Sequence, residues 1–566
     1  MRRTPLRRRP TAATVAAFGA AILAAALVGA PAARAQGDAA AMPSAPFDGA
    51  AWRRDLTTIA RELPARHPDL FFRLSRARWD SAVGAIDGRL ASMTRNQALV
   101  AFMELVALPN DGHTSATPVF DPAFRVRYYP VQLYAFEGGL YIRSAAPEHA
   151  SLAGAKVLRI GNASADEALA AAARTVPHEN EWWARAWAPG RLEIPEVLDG
   201  LGLVEDMERL PLVVERGGGA DTVLVRPAGR LEPRGHDPAG PIDGRGWTDM
   251  RGSGDAPLWL RNPGRPYWVE FVAADGTLYV AYRGVVDAEP GNVEFWRQVF
   301  AMADSLPVER LVLDIRENTG GESFFNRQVV RGILARPALD DPERLFVILG
   351  RRTFSAAMNL ALDLEQWTNA TFVGEPTGNA TMFFGDHEQI VLPASGLTVN
   401  VSTLPWHPDD PRDRRPFLAP DIYAPLTSAD YRAGVDPALR AIRSRGAGPR
   451  LSERVEAAIA GGDSAAALRV VEEASRDVAN RFRSPEADVN ALGYRLLRAG
   501  RVPEAIEVFR INTVAFPESA NVWDSLGEAL LAADRREEAI AAYRRALAID
   551  PEFASATNAL ERLGAD

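Results

Sequence analysis

Between residues 52 and 108 apolar side chains return at every third or fourth position, as in Leu56, Ile59 and Leu63 and again in Leu99, Phe102, Leu105 and Leu108. That spacing gives a helix one apolar face and predicts a helical N-terminal region. Past residue 124 the pattern shortens to runs such as Gly139-Leu140-Tyr141-Ile142-Arg143 and Ala155-Lys156-Val157-Leu158-Arg159-Ile160, with an Ala-rich helix from Ala165. A small α+β module is expected there. Residues 228–263 are crowded with Gly, Pro, Asp and Arg and predict a linker. From Trp268 onward strands alternate with helices, the strands reading as apolar runs at 278–283, 310–315 and 345–349. Alternation of this kind predicts a layered α/β domain with buried strands.

The C-terminal part repeats itself. Leu492, Gly493, Ala505, Ile506, Phe509 and Pro517 recur 34 residues later as Leu526, Gly527, Ala539, Ile540, Tyr543 and Pro551. A period of this length with these residues identifies tetratricopeptide repeats, helical hairpins that stack to bury their faces. Residues 451–483 supply a degenerate preceding hairpin and 553–563 a capping helix. Such an array predicts a docking surface for a protein partner.

Composition adds three points. Arg2, Arg3, Arg7, Arg8 and Arg9 lead into an Ala/Val/Leu stretch that closes at Ala33-Arg34-Ala35, the pattern of a signal peptide. A periplasmic or secreted protein is therefore expected, membrane-bound only if the segment stays uncleaved. Cysteine is absent, which excludes disulfides, a cysteine nucleophile and thiolate metal sites. The net charge of -9 provides no basic footprint for nucleic acid, and Lys156 is the only lysine. The predicted organisation is signal peptide 1–35, tail and helical region 36–118, α+β module 119–230, linker 231–263, α/β domain 264–445 and repeats 446–566.

Three segments break the structural pattern: Asn110-Asp111-Gly112-His113-Thr114 after a helix, Asp314-Ile315-Arg316-Glu317-Asn318-Thr319-Gly320-Gly321 where a strand ends in charges and a glycine pair, and Gly350-Arg351-Arg352-Thr353-Phe354-Ser355-Ala356-Ala357 where a strand turns into a helix of small residues. A serine at a helix start lies beside free N–H groups able to stabilise an oxyanion. Singly, Ser355 also reads as an N-cap, His113 as a turn histidine and the glycine pair as a tight turn. Asp386-His387-Glu388 is the one metal-like cluster, and no H-E-x-x-H accompanies it, so neither metal nor cofactor is expected.

Together these segments, with Val373-Gly374-Glu375-Pro376-Thr377-Gly378 and Pro420-Asp421-Ile422, resemble the tail-specific or C-terminal processing serine proteases, tricorn-like enzymes included, over residues 52–439. The resemblance implies a ClpP/crotonase-like catalytic core, a PDZ-like module and peptide or protein substrates. It makes Ser355 the nucleophile. One branch of the family activates the serine with a lysine after the Gly-Glu-x-Thr-Gly turn, and no lysine exists there. The resemblance then points to His113 as base and to oxyanion donors on Gly320 or Gly321 and on Ala356. Asp413 is the nearest acidic match for a third member, with Asp409, Asp410 and Glu375 also available and His407 a reserve base. The alternatives are an inactive protease-like scaffold that binds a peptide or apolar ligand, and an esterase or amidase on the same framework. Trp182, Trp183 and Trp187 line a cleft or fill a core.

Overall fold

The computed structural model describes residues 47–118, 126–230, 246–252, 256–408, 410–445 and 451–565. The signal segment, most of the linker, His236 and Asp409 lie outside these residues. Three helices lead, α1 (Gly49–Arg66), α2 (Arg76–Arg89) and α3 (Arg95–Ala107). Their apolar stripe is the predicted one, with Leu56, Ile59, Leu63, Leu99, Phe102 and Leu105 all buried. The chain then forms β1 (Ser115–Ala116), whose place is fixed by a strand almost three hundred residues away, as described below.

The α+β module is an antiparallel sheet. Hairpin β2 (Val131–Phe136) and β3 (Gly139–Ala145) is followed by β4 (Lys156–Ile160), and after helices α4 (Ala165–Ala173) and α5 (Glu181–Arg191) by hairpin β5 (Leu210–Arg216) and β6 (Gly219–Val225). Strand β4 pairs with both β3 and β5. Lys156 lies on this strand with its stem over Gly139, inside the module. Trp182 and Trp183 are 3% and 8% exposed, which makes them core rings rather than the lining of an open cleft.

The α/β domain begins with the antiparallel pair β7 (Tyr267–Val272) and β8 (Thr277–Tyr282) and continues in parallel through β9 (Arg310–Asp314), β10 (Leu345–Leu349) and β11 (Thr371–Gly374). A long hairpin, β12 (Phe383–Val391) and β13 (Thr398–Trp406), leaves this sheet before β14 (Ile422–Tyr423) closes it. Sequential strands are spatial neighbours here, so the crossover helices α6 (Asn292–Ser305), α7 (Asn326–Leu334) and α8 (Ala356–Trp367) fall on one face. Alternation along the strands divides the two cores. Leu311, Leu313, Leu345, Val347 and Leu349 pack on those helices, whereas Val312, Phe346 and Ile348 pack on helix Pro437–Ser444.

The repeats form stacked helices from Leu451–Ala460 to Ala554–Leu563. The matched glycines have a packing cause: a Cβ on Gly493 would meet the Phe509 ring at 2.5 Å, and one on Gly527 the Tyr543 ring at 2.7 Å. The array is fastened to the rest of the chain by Phe482, whose ring stands edge-on to Trp182, Phe417 and Tyr423 with centroids 6.1, 5.9 and 5.2 Å away. The Arg481 guanidinium lies over Tyr423 at 5.2 Å and over Trp182 at 5.9 Å. No helix among the described residues is long and apolar enough to cross a membrane.

Candidate active site

Strand β10 ends at Leu349, and the chain turns through Gly350–Phe354 into α8. The turn is held by Thr353, whose Oγ donates to the Ile315 carbonyl at 2.9 Å and accepts from the Gly350 N–H at 3.1 Å. It delivers Ser355, half-buried, with φ 53° and ψ −125°. A non-glycine residue rarely adopts such a backbone, and its persistence at a helix start marks a position the surroundings enforce. The Ser355 N–H donates to Asn379 Oδ1 at 2.5 Å. Asn379 follows the Gly374–Gly378 turn, which brings two sequence motifs together.

Against the serine lies the glycine pair. Gly320 and Gly321 have φ of 108° and 133°, and a Cβ on Gly320 would fall 2.5 Å from Ser355 Cβ and 2.9 Å from the Ala356 nitrogen. Only glycine permits that approach. The Gly320 N–H donates to Asn318 Oδ1 at 2.9 Å. The N–H groups of Gly321 and Ala356 donate to nothing among the described residues, as expected for a donor at the first position of a helix. Asp314 and Arg316 shape this turn, Arg316 bridging Asp314 and Asp436 at 2.9 and 2.8 Å.

His113 arrives by tertiary pairing. β1 joins β13 antiparallel, Ser115 opposite Asn400, so the loop after α3 is stitched to the hairpin. Asp111 reinforces the seam: it accepts from Ser402 Oγ at 2.6 Å, from His67 Nε2 at 3.0 Å and from the His113 N–H at 3.1 Å. His67 Nδ1 accepts from the Asp69 N–H, which assigns the proton to Nε2. The His113 imidazole lies between Phe354 and Phe383, with centroids 4.5 and 5.7 Å away and interplanar angles of 28° and 12°. Trp183 stacks on the far side of Phe354 at 3.9 Å. The sandwich sets the ring directly over the residue preceding Ser355. No hydrogen bond joins the imidazole to the Ser355 hydroxyl, and both ring nitrogens are buried without a partner.

Charge at the site follows from that burial. Desolvation pushes the His113 pKa down to about 4, with the Asp111 charge opposing in part, so the ring is neutral at pH 7. Asp111 is buried as well, but the His67 bond, the His113 ring and the Ser402 and Thr114 hydroxyls outweigh burial and hold its carboxyl below the ordinary range.

Glu179 also lies near the imidazole, and nothing in the sequence signals it. Its Oε1 accepts from the Gly112 N–H at 3.0 Å, while Oε2 is buried and unpartnered. One donor atom each from Asp111, His113 and Glu179 lie within 4.8 Å of one another. This trio has the donor types of a metal site, but the Asp111 oxygens are committed to His67, Ser402 and the His113 N–H. Burial, then the Asp111 charge, raise the Glu179 pKa to about 8.

Residues 179–183 form a junction. Glu179 meets the His113 loop, and Asn180 Nδ2 donates to the carbonyls of Thr377, Gly378 and Pro416 at 3.2, 3.0 and 2.8 Å. Trp182 receives Phe482, and Trp183 backs Phe354. Asp413 is placed otherwise: Oδ1 accepts from Thr381 Oγ at 3.0 Å, and both oxygens bind Arg415, itself paired with Glu365. Glu375 is clasped by Arg351 through two bonds of 3.1 Å, and Asp410 pairs with Arg412. His407 is exposed on the loop after β13.

Among solved structures the chain resembles mature CPAF complexed with lactacystin, at 14% identity over 70% of this chain and 98% of that one, with a TM-score of 0.51. The photosystem II D1 C-terminal processing protease is aligned at 15% identity over 70% and 98%, with a TM-score of 0.35. A putative peptidase from Parabacteroides merdae is aligned at 13% identity over 70% and 99%, with a TM-score of 0.36. The family model of the tetratricopeptide repeat matches residues 520–553. No curated protein matches the chain. The chain therefore shares the fold of mature CPAF over 70% of its length, and its C-terminal part carries a tetratricopeptide repeat.

Proposed function

We propose that the chain is an exported serine peptidase. Ser355 Oγ attacks the carbonyl carbon of a peptide bond while a ring nitrogen of His113 takes its proton, and His113 returns that proton to the departing amine. Water, activated by the same ring, then hydrolyses the acyl-enzyme. The oxyanion sits between the N–H groups of Gly321 and Ala356, a donor of this kind being worth ~3 kcal/mol in the transition state. The observation that carries this reading is the left-handed φ of Ser355 at a helix start, pressed against a glycine pair with a free N–H. Export rests on the arginine-led apolar segment at the N-terminus and implies the periplasm or the exterior. The antiparallel module fits a PDZ-like receptor for a peptide, the one-sided helices over sequential strands fit a ClpP/crotonase-like core, and the repeats offer a surface to a protein partner.

The test is fluorophosphonate labelling of the mature protein, read by intact mass and peptide mapping. Wild type labels at Ser355, and Ser355→Ala and His113→Ala lose the label. A second reading, the inactive scaffold, is favoured by the imidazole clamped between rings without a bond to the serine. A folded wild type that stays unlabelled selects it.

A further inference from the structure

A base that takes a proton in a dry site needs a partner for the positive ring it becomes, and for the ring N–H turned away from the serine. The groups facing His113 are few: Asp111 on its own loop, Glu179 at the start of α5, and Asp386, His387 and the Phe384 backbone on β12. Glu179 in turn faces Asp111 and Arg73. Asp111 accepts from His67, Ser402 and the His113 backbone, so its capacity is spent on holding the loop. Glu179 Oε1 accepts from the Gly112 N–H, and Oε2 is buried without a hydrogen-bond partner. Both His113 nitrogens are buried without a hydrogen-bond partner, and one of them lies within 4.8 Å of a Glu179 carboxylate oxygen. The residues are partly exposed overall, but the atoms that carry charge are shut from water. Two mutually unsatisfied buried groups this close are costly unless they serve each other.

The geometry points to Glu179 as the positioning residue of His113: its free Oε2 accepts the imidazole N–H remote from Ser355 and balances the imidazolium formed during attack. The assignment rests on the Ser355 and His113 reading above. Glycine at 112 is part of the device, because a Cβ there would lie 3.0 Å from Glu179 Oε2 and 2.7 Å from the Phe354 ring. No covalent chemistry passes through Glu179. The proton leaves Ser355 Oγ, resides on His113 and departs with the amine, while the carboxylate only accepts a hydrogen bond.

Glu179→Gln separates this role from a structural one. Glutamine keeps an oxygen for the Gly112 N–H but cannot carry charge, and its amide favours the wrong imidazole tautomer. We expect the labelling rate at Ser355 to fall about 10²–10⁴-fold, at least tenfold more than in Asp413→Asn. The carboxylate acts only once ionised, so the wild-type rate rises as pH increases through about 8, and that limb disappears in the variant. A second readout needs no activity. In Ser355→Ala protein the His113 imidazole NMR signals shift through the same pH range, and they do not in the double variant with Glu179→Gln. Should wild type fail to label, the peptidase reading falls. Should wild type label while Glu179→Gln matches it in rate and pH profile, or while Asp413→Asn alone is lost, the role of Glu179 falls and the peptidase reading survives. Unchanged His113 signals across that range in Ser355→Ala overturn it equally.

Discussion

Asp111 and Glu179 flank one imidazole, and both carboxyl groups are cut off from water, yet their charges are held in opposite directions. Asp111 lies in a loop stitched by three chain segments and receives a hydroxyl, an imidazole and an amide. Glu179 lies one position before the cap of α5 and receives the Gly112 amide. Burial is the largest influence on each, and it prevails only where donors are scarce, so Asp111 is held low and Glu179 is raised to about 8. Depth alone therefore does not decide which buried carboxylate is a structural anchor and which is free to act. The count of donors does.

That contrast can be broken most severely at Asp111. Asp111→Ala strands the His67 N–H, the Ser402 hydroxyl and the His113 amide together, and about 3–5 kcal/mol of stability is expected to disappear, read as a lower denaturation midpoint in urea. A loss under 1 kcal/mol would show that the seam is held elsewhere.

The pH dependence of the pair comes next. Glu179 has an ordinary pKa of 4.5 and a folded value of about 8, so the folded chain binds the extra proton between them. Its contribution is fully present below pH 4.5 and is lost as pH rises through 8. Asp111 runs the other way: its contribution is present above its ordinary 3.8 and is lost as pH falls through its lower folded value. Glu179→Gln should therefore flatten the alkaline fall in stability, by on the order of 1–3 kcal/mol between pH 6 and 9, and leave the acid limb intact. Unfolding curves at several pH values check both limbs.

The smallest effect sharpens the part played by the rings. Phe383→Leu thins one side of the His113 sandwich and admits water, and the His113 pKa should climb from about 4 by ~1 unit, followed by NMR titration. No movement would mean that Phe354 alone keeps the ring dry.

Much of this architecture is legible in sequence wherever a local constraint repeats or contradicts the pattern around it. The strands of the α/β domain alternate faces as their residues predict, and the glycines of the repeats recur because Phe509 and Tyr543 need the space. Ser355, His113 and the glycine pair stand out in the sequence because each interrupts a regular pattern with a polarity or a residue type it would not otherwise hold. Glu179 gave no such signal. It is an ordinary polar residue one position before the cap of α5, and its meeting with His113 depends on how the module docks. Asn379 escaped for the same reason, since only the return of β11 toward the serine turn brings its side chain to the Ser355 N–H. Asp413 is the acidic residue nearest the place the resemblance gives a third member, whereas its oxygens are occupied by Thr381 and Arg415, a cation two residues on.

The junction at 179–183 limits how this protein can be rebuilt. A small antiparallel module looks like a cassette to be exchanged whole, cut at its two ends. Here those cuts would carry away the residue beside His113, the Asn180 clamp on the Thr377–Gly378 turn, the backing of Phe354 and the socket for Phe482. A chimaera that keeps these contacts has to leave Glu179 through Trp183 with the recipient and accept only the strands on either side, so five consecutive residues tie the module to three other parts of the chain.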